Sequence, residues 1–198
     1  MMYEFFIETP KHKLKVEAHY KIVNKNAVKV DKKFFENKCK TCRNYNKKYS
    51  CPPLSPEFNS YVDCDKLLVL MLKMNLNQLD GFDYNEFHKI RIGNAILKPK
   101  IEKIMRELGG GSKFLSSCAC RLCKPCQLTL KKPCKHPDKR RYSLESLGVN
   151  CDALSKDLFG TPLLWYKDKK ASEYTLVICA LPVKDNNTLE DIKRLIIG

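Results

Sequence analysis

Residues 66–74 read KLLVLMLKM. The apolar run over 67–72 is unbroken, so it lacks the polar positions of a half-exposed strand and is short for a helix. It reads as a strand buried on both faces, the centre of a sheet. Cys64 stands at its mouth, as a buried structural thiol or a metal ligand. Upstream, Leu14, Val16 and Ala18 alternate with Lys13, Lys15 and Glu17, the pattern of a half-buried strand. Ile22-Val23 and Ala27-Val28 flank a turn at Asn24-Lys25-Asn26, so residues 1–30 read as a strand pair covering one side of the core. Asp31 caps a short helix over residues 32–37.

Downstream, Asp83 caps a helix that runs from Tyr84 towards Leu108. Leu97, Ile101, Ile104, Met105 and Leu108 share one face of it, and His88 is a surface or packing histidine. Pro99 implies a kink or two helices in succession, and Gly109, Gly110 and Gly111 end the pattern. Residues 113–116 read as a short strand. Ser143 to Gly148 read as a turn or short helix. A helical patch begins at Asp152 or Ser155 and ends at Gly160. Residues 163–166 and 174–181 read as strands, with Cys179 in the core. Thr188 caps a last helix with Leu189, Ile192, Leu195 and Ile196 on its buried face. These elements make a single α/β or α+β domain over residues 1–198, a mixed sheet flanked by helices. No repeat or low-complexity linker interrupts it.

Two irregular stretches carry the chemistry. Residues 118–134 read CACRLCKPCQLTLKKPC and hold five of the chain's eleven cysteines. Cys120, Cys123, Cys126 and Cys134 give C-x2-C-x2-C-x7-C. Three thiolates at this spacing wrap a cubane, with a fourth from further along. Zinc sites more often pair two C-x2-C knuckles. A 4Fe–4S cluster is therefore the first reading and zinc the alternative. The earlier stretch, residues 39–53, reads CKTCRNYNKKYSCPP. Cys39, Cys42 and Cys51 offer three thiolates, which suits either a second cluster with one iron open to an outside ligand or a share in a single site. The metal-binding loops are thus 39–53 and 118–137. His136 is a turn residue or a ligand. Cys118 is a further candidate.

The formal net charge is +15. Lys124, Lys131, Lys132, Lys135, Arg140 and Arg141 are placed to offset an anionic cluster and to lower thiol pKa values. The same excess allows a nucleic-acid partner, since a basic surface is the electrostatic footprint of one. No apolar run reaches the roughly 18 residues of a membrane span, and no basic-then-apolar leader opens the chain. Eleven cysteines without an export signal point to the reducing cytoplasm and to metal ligation over disulfides.

On these motifs the chain resembles a family of predicted metal-binding proteins common in anaerobic bacteria and archaea. The family pattern is C-x2-C…CPP, then C-x-L-C-x2-C…PC-x-x-P…R-x-S-x-E-x-x-G. Cys39, Cys42, Cys51, Cys120, Cys123, Cys126 and Cys134 fall on its cysteine positions, and Pro137, Arg141, Ser143, Glu145 and Gly148 on its trailing motif. Tyr142 stands where the family usually has proline, a relaxed turn. Cys64, Cys118, Cys151 and Cys179 have no counterpart. The resemblance implies metal binding, iron–sulfur chemistry and a cytosolic setting, but no particular reaction. The reading that follows is a carrier of one or two 4Fe–4S clusters, used for electron transfer or cluster-dependent chemistry in an anaerobic pathway with a redox partner. The alternative is a zinc protein with structural knuckles that binds nucleic acid or protein.

Overall fold

The computed structural model describes residues 1–109, 114–183 and 192–195. Four strands form one sheet in the order β1-β2-β3-β4: β1 (Met2–Glu8), β2 (Lys13–Asn24), β3 (Lys66–Asn75) and β4 (Tyr174–Val183). Every pairing is antiparallel, where a mixed sheet was expected, and the class is α+β. Strand β3 is interior, and Leu67 to Leu72 are all fully buried, as the apolar run requires. In β2 the alternation holds, with Leu14, Val16, Ala18 and Tyr20 buried. The strand pair of the N-terminal region turns at Thr9 to His12, where Thr9 and His12 exchange backbone hydrogen bonds. The Asn24 turn instead ends β2 in a 3-10 turn over Lys25–Ala27.

Helices cover both faces. Helix α1 (Lys32–Cys39) is capped by Asp31, whose carboxylate accepts from the Phe34 N–H at 2.9 Å, and it carries Cys39 in its last turn. A single turn, α2 (Phe58–Tyr61), buries Phe58. Helix α3 (Glu86–Leu108) is capped by Asn85 and not by Asp83. It is one continuous helix despite Pro99, because Pro99 and Ala95, whose carbonyl loses its partner, both face solvent. Leu97, Ile101, Ile104 and Met105 are buried against one face of the sheet, as their spacing predicts, and His88 is exposed. Helix α4 (Cys151–Phe159) starts from an Asn150 cap, ahead of both Asp152 and Ser155, and packs on the other face. It ends at Gly160 in a left-handed conformation.

Residues 163–166 are not a strand. The Leu163 N–H donates to the Asp152 carboxylate at 2.8 Å and the Tyr174 hydroxyl to the Pro162 carbonyl at 2.6 Å, so this stretch is tied to α4 and lies as a strap beside β4. Leu115 and Ser116 make isolated bridges to Ala180 and Ser143. Lys113, Gly110, Gly111, Thr188, Leu189 and Ile196 lie outside the described residues. Ile192 is fully buried in the core and Leu195 packs against it.

The topology brings the two cysteine loops to one end of the sheet. The first loop leaves the end of β2 and returns at the start of β3, where Asn24 pairs with Lys66. The 23 residues of α3 then carry the chain back by about 34 Å. It re-enters at Leu115 beside Ala180, near Val183, the partner of Lys66.

Candidate metal centre

The cysteines of the second loop come together without regular structure between them. Cys120, Cys123, Cys126 and Cys134, each half-buried, line one recess of about 340 Å³ of empty space, mouth included. Tyr49 and Ser50 of the first loop form part of its wall, and Lys135, His136 and Arg140 bring it basic and imidazole groups. The four thiols line the recess wall. Among the described residues no three Cys, His, Asp or Glu side chains converge tightly enough to hold a single ion as they stand. Four thiols on one recess are a donor set suited to a metal ion or a metal cluster, and the residues present fit such a group.

The first loop gathers its own thiols. The Cys42 N–H donates to the Cys39 carbonyl at 2.8 Å, and the Cys51 N–H to the Lys48 carbonyl at 3.0 Å. Cys39, Cys42 and Cys51 lie within electrostatic reach of one another. Burial pushes the Cys39 and Cys51 thiols up from their ordinary values, and at Cys51 the Ser50 hydroxyl opposes this. Any metal group bound here thus displaces protons from both.

The loops are stitched together by residues 48–50. Lys48 Nζ donates to the Cys120 carbonyl at 2.8 Å, the Tyr49 hydroxyl donates to the Lys132 carbonyl at 2.8 Å, and the Cys120 N–H donates to Ser50 Oγ at 3.1 Å. Ser50, 1% exposed, therefore adjoins Cys51 in the chain while touching Cys120 across the loops. No spacing rule singles out Lys48, Tyr49 or Ser50. Their only sequence signal is their place just before Cys51.

A third segment joins the chain just after the first loop to the trailing motif. Lys32 Nζ donates to the Ser55 carbonyl at 3.0 Å, the Ser55 hydroxyl at 2.8 Å, the Pro56 carbonyl at 3.2 Å and the Ser146 carbonyl at 2.7 Å. Burial lowers its pKa from the usual lysine value. The trailing motif is the other half of this clamp. Ser143 and Ser146 bond each other around the 3-10 turn Glu145–Leu147, and the Gly148 carbonyl accepts from the Asp31 N–H at 2.8 Å. Tyr142 is buried edge-on to Tyr61 at 4.8 Å, with Arg140 over its ring at 5.4 Å, so it packs the clamp and does more than relax a turn.

The basic residues divide. Lys135 and Arg140 line the thiol recess, while Arg141 joins Arg106 and Arg121 around a neighbouring recess beside Cys120. The remaining cysteines are engaged elsewhere. Cys64 donates to the Lys66 carbonyl at 3.1 Å and Cys118 to the Glu102 carboxylate at 3.2 Å. Cys151 and Cys179 are buried, and burial holds both thiols well above the ordinary value.

Residues 21–181 match the profile of one family, described as "Predicted metal-binding protein (DUF2284)". The chain belongs to this predicted metal-binding family. The match spans both cysteine loops, the Lys32 clamp and the trailing turn, the parts that form one end of the molecule. No curated protein and no solved structure matches the chain significantly. Among the described residues no helix is long and apolar enough to cross a membrane.

Proposed function

We propose that this metal-binding protein carries iron–sulfur clusters. Cys120, Cys123, Cys126 and Cys134 would hold one 4Fe–4S cluster, and Cys39, Cys42 and Cys51 a second. The observation that carries the reading is the single recess lined by four thiols from one seventeen-residue stretch. When bound, a 4Fe–4S group supplies one-electron transfer at a potential set by burial, charge and hydrogen bonds to sulfur. The chain's own residues provide those settings. Lys135 and Arg140 offset thiolate charge at the recess, and the half-buried cysteines leave an edge near the surface from which a redox partner is reached. Electron transfer in an anaerobic, cytoplasmic setting is the role that this arrangement supports best.

Iron, acid-labile sulfide and zinc per chain, measured on protein purified without oxygen, test the reading. About eight irons and eight sulfides are expected for two cubanes, and about four of each for one. Stoichiometric zinc without sulfide would overturn it and would favour structural knuckles with a nucleic-acid or protein partner.

A further inference from the structure

The outer edge of β4 is open where it faces a second, larger cavity of about 930 Å³, mouth included. Ala180 exchanges backbone hydrogen bonds with Leu115 on the side away from β3. Backbone groups alternate in direction along a strand, so the N–H and C=O of Ile178 and Leu176 point the same way. The unbroken register with β3 confirms the phase, since the Glu173 carbonyl, of opposite parity, accepts from the Leu76 N–H. Leu176 and Ile178 line the cavity, and among the described residues nothing meets their outward backbone groups. Two walls enclose this edge. Helix α3 contributes Ile90, Asn94 and Lys98, one face at four-residue spacing, and the strap contributes Leu163, Leu164, Trp165 and Tyr166.

The cleft is polarised along its length. One end lies by Ile178, where Lys98, Ser117, Glu145 and Cys151 gather. Ser117 Oγ is buried there and meets only the weak thiol of Cys179. Burial pushes the Glu145 carboxyl up towards its uncharged form while Ser143 and Cys151 bond it, and the Lys98 ammonium that faces it is the cation of this end. The other end is apolar and open. Trp165 is 74% exposed, and Tyr166 leans edge-on against Phe87 at 5.5 Å.

We infer that this cleft binds a short peptide in extended conformation, its amides paired to Leu176 and Ile178 and its C-terminal carboxylate held by Lys98 and Ser117. Strand addition to a sheet edge supplies the main-chain hydrogen bonds, and the apolar strap accepts aliphatic side chains. Charge complementarity selects the carboxyl terminus, because the closed end presents a cation and a hydroxyl donor. The inference is independent of what the cysteines hold.

Trp165 is the chain's only tryptophan, so the site reports on itself. Metal-loaded protein titrated with trileucine should show a saturable change in Trp165 emission and a matching calorimetric isotherm. Trileucinamide, and trileucine N-methylated at an internal amide, should each bind about tenfold more weakly or worse. Lys98→Ala should remove the difference between acid and amide while leaving the far-ultraviolet circular dichroism unchanged. No saturable change with trileucine at millimolar concentration would overturn the inference. So would equal affinity for 4-methylpentanoate, which has the acid without the amides, or an acid–amide difference that survives Lys98→Ala.

Discussion

At Gly148 the backbone has φ +94°, and a Cβ built there would stand 2.6 Å from Lys32 Cα. Two separate demands therefore meet in one residue: a left-handed turn after the 3-10 helix, and close approach to the start of α1. Gly160 has φ +66° but nothing within 4 Å of its would-be Cβ, so it isolates the first demand. Gly160→Ala should cost about 1 kcal/mol, the strain of an L-residue in that region. Gly148→Ala should cost more, on the order of 3 kcal/mol, because backbone at Lys32 has to shift and the Lys32 ammonium is then displaced from the Ser55, Pro56 and Ser146 oxygens it serves. Urea unfolding midpoints of the two variants, purified side by side, measure the difference. Equal losses would mean that the contact with α1 has no energetic weight.

Elements with a strong period are legible in the sequence, and those set by tertiary pairing are not. The apolar run at 67–72 announced an interior strand, and the spacing of Leu97, Ile101, Ile104 and Met105 announced the buried face of α3. Residues 163–166 have strand composition, yet they lie as a strap, because Asp152 and Tyr174 capture the backbone that a strand would offer to its neighbour. The recess that gathers Cys120, Cys123, Cys126 and Cys134 follows their close spacing, whereas the contacts of Lys32, Lys48, Tyr49 and Ser50 had no such signal, since each is a long-range bond from a common polar residue. Pro99 is the sharpest case at this scale. Its ring removes the donor that would have bonded Ala95, so sequence reasoning kinks or divides the helix there, but burial of Leu97 and Ile101 on either side keeps α3 continuous through it. The defect lies on the exposed face. Pro99→Ala should therefore restore one backbone hydrogen bond and stabilise the protein by about 1 kcal/mol, net of the freedom regained by the unfolded chain. A lower urea midpoint for the variant would show that α3 is built around the proline.

Across the whole molecule, antiparallel order decides that both cysteine loops emerge at the same end, and residues 48–50 turn that proximity into contact. Three hydrogen bonds cross between the loops, two of them to the backbone of Cys120 itself. A buried hydroxyl, Ser50 Oγ, serves the Cys120 N–H, so neither loop satisfies its own polar groups alone. Order in one loop then depends on order in the other, and a thiolate-bound group in the second loop would tighten the first through Cys120. The double variant Cys123→Ser, Cys126→Ser removes two of the four thiols that line the recess but none of the crossing bonds. In amide hydrogen exchange, the N–H groups of Cys42 and Cys51, which bond to Cys39 and Lys48 within the first loop, should lose protection by on the order of tenfold or more. Amides of β3 such as Leu70 serve as the reference, because the interior strand opens only with the whole fold. Loss at Cys42 and Cys51 with β3 unchanged is the signature of coupled loops. Unchanged protection in the first loop would mean that the loops order separately, and the hydrogen bonds through Lys48, Tyr49 and Ser50 would then be contacts without cooperative consequence.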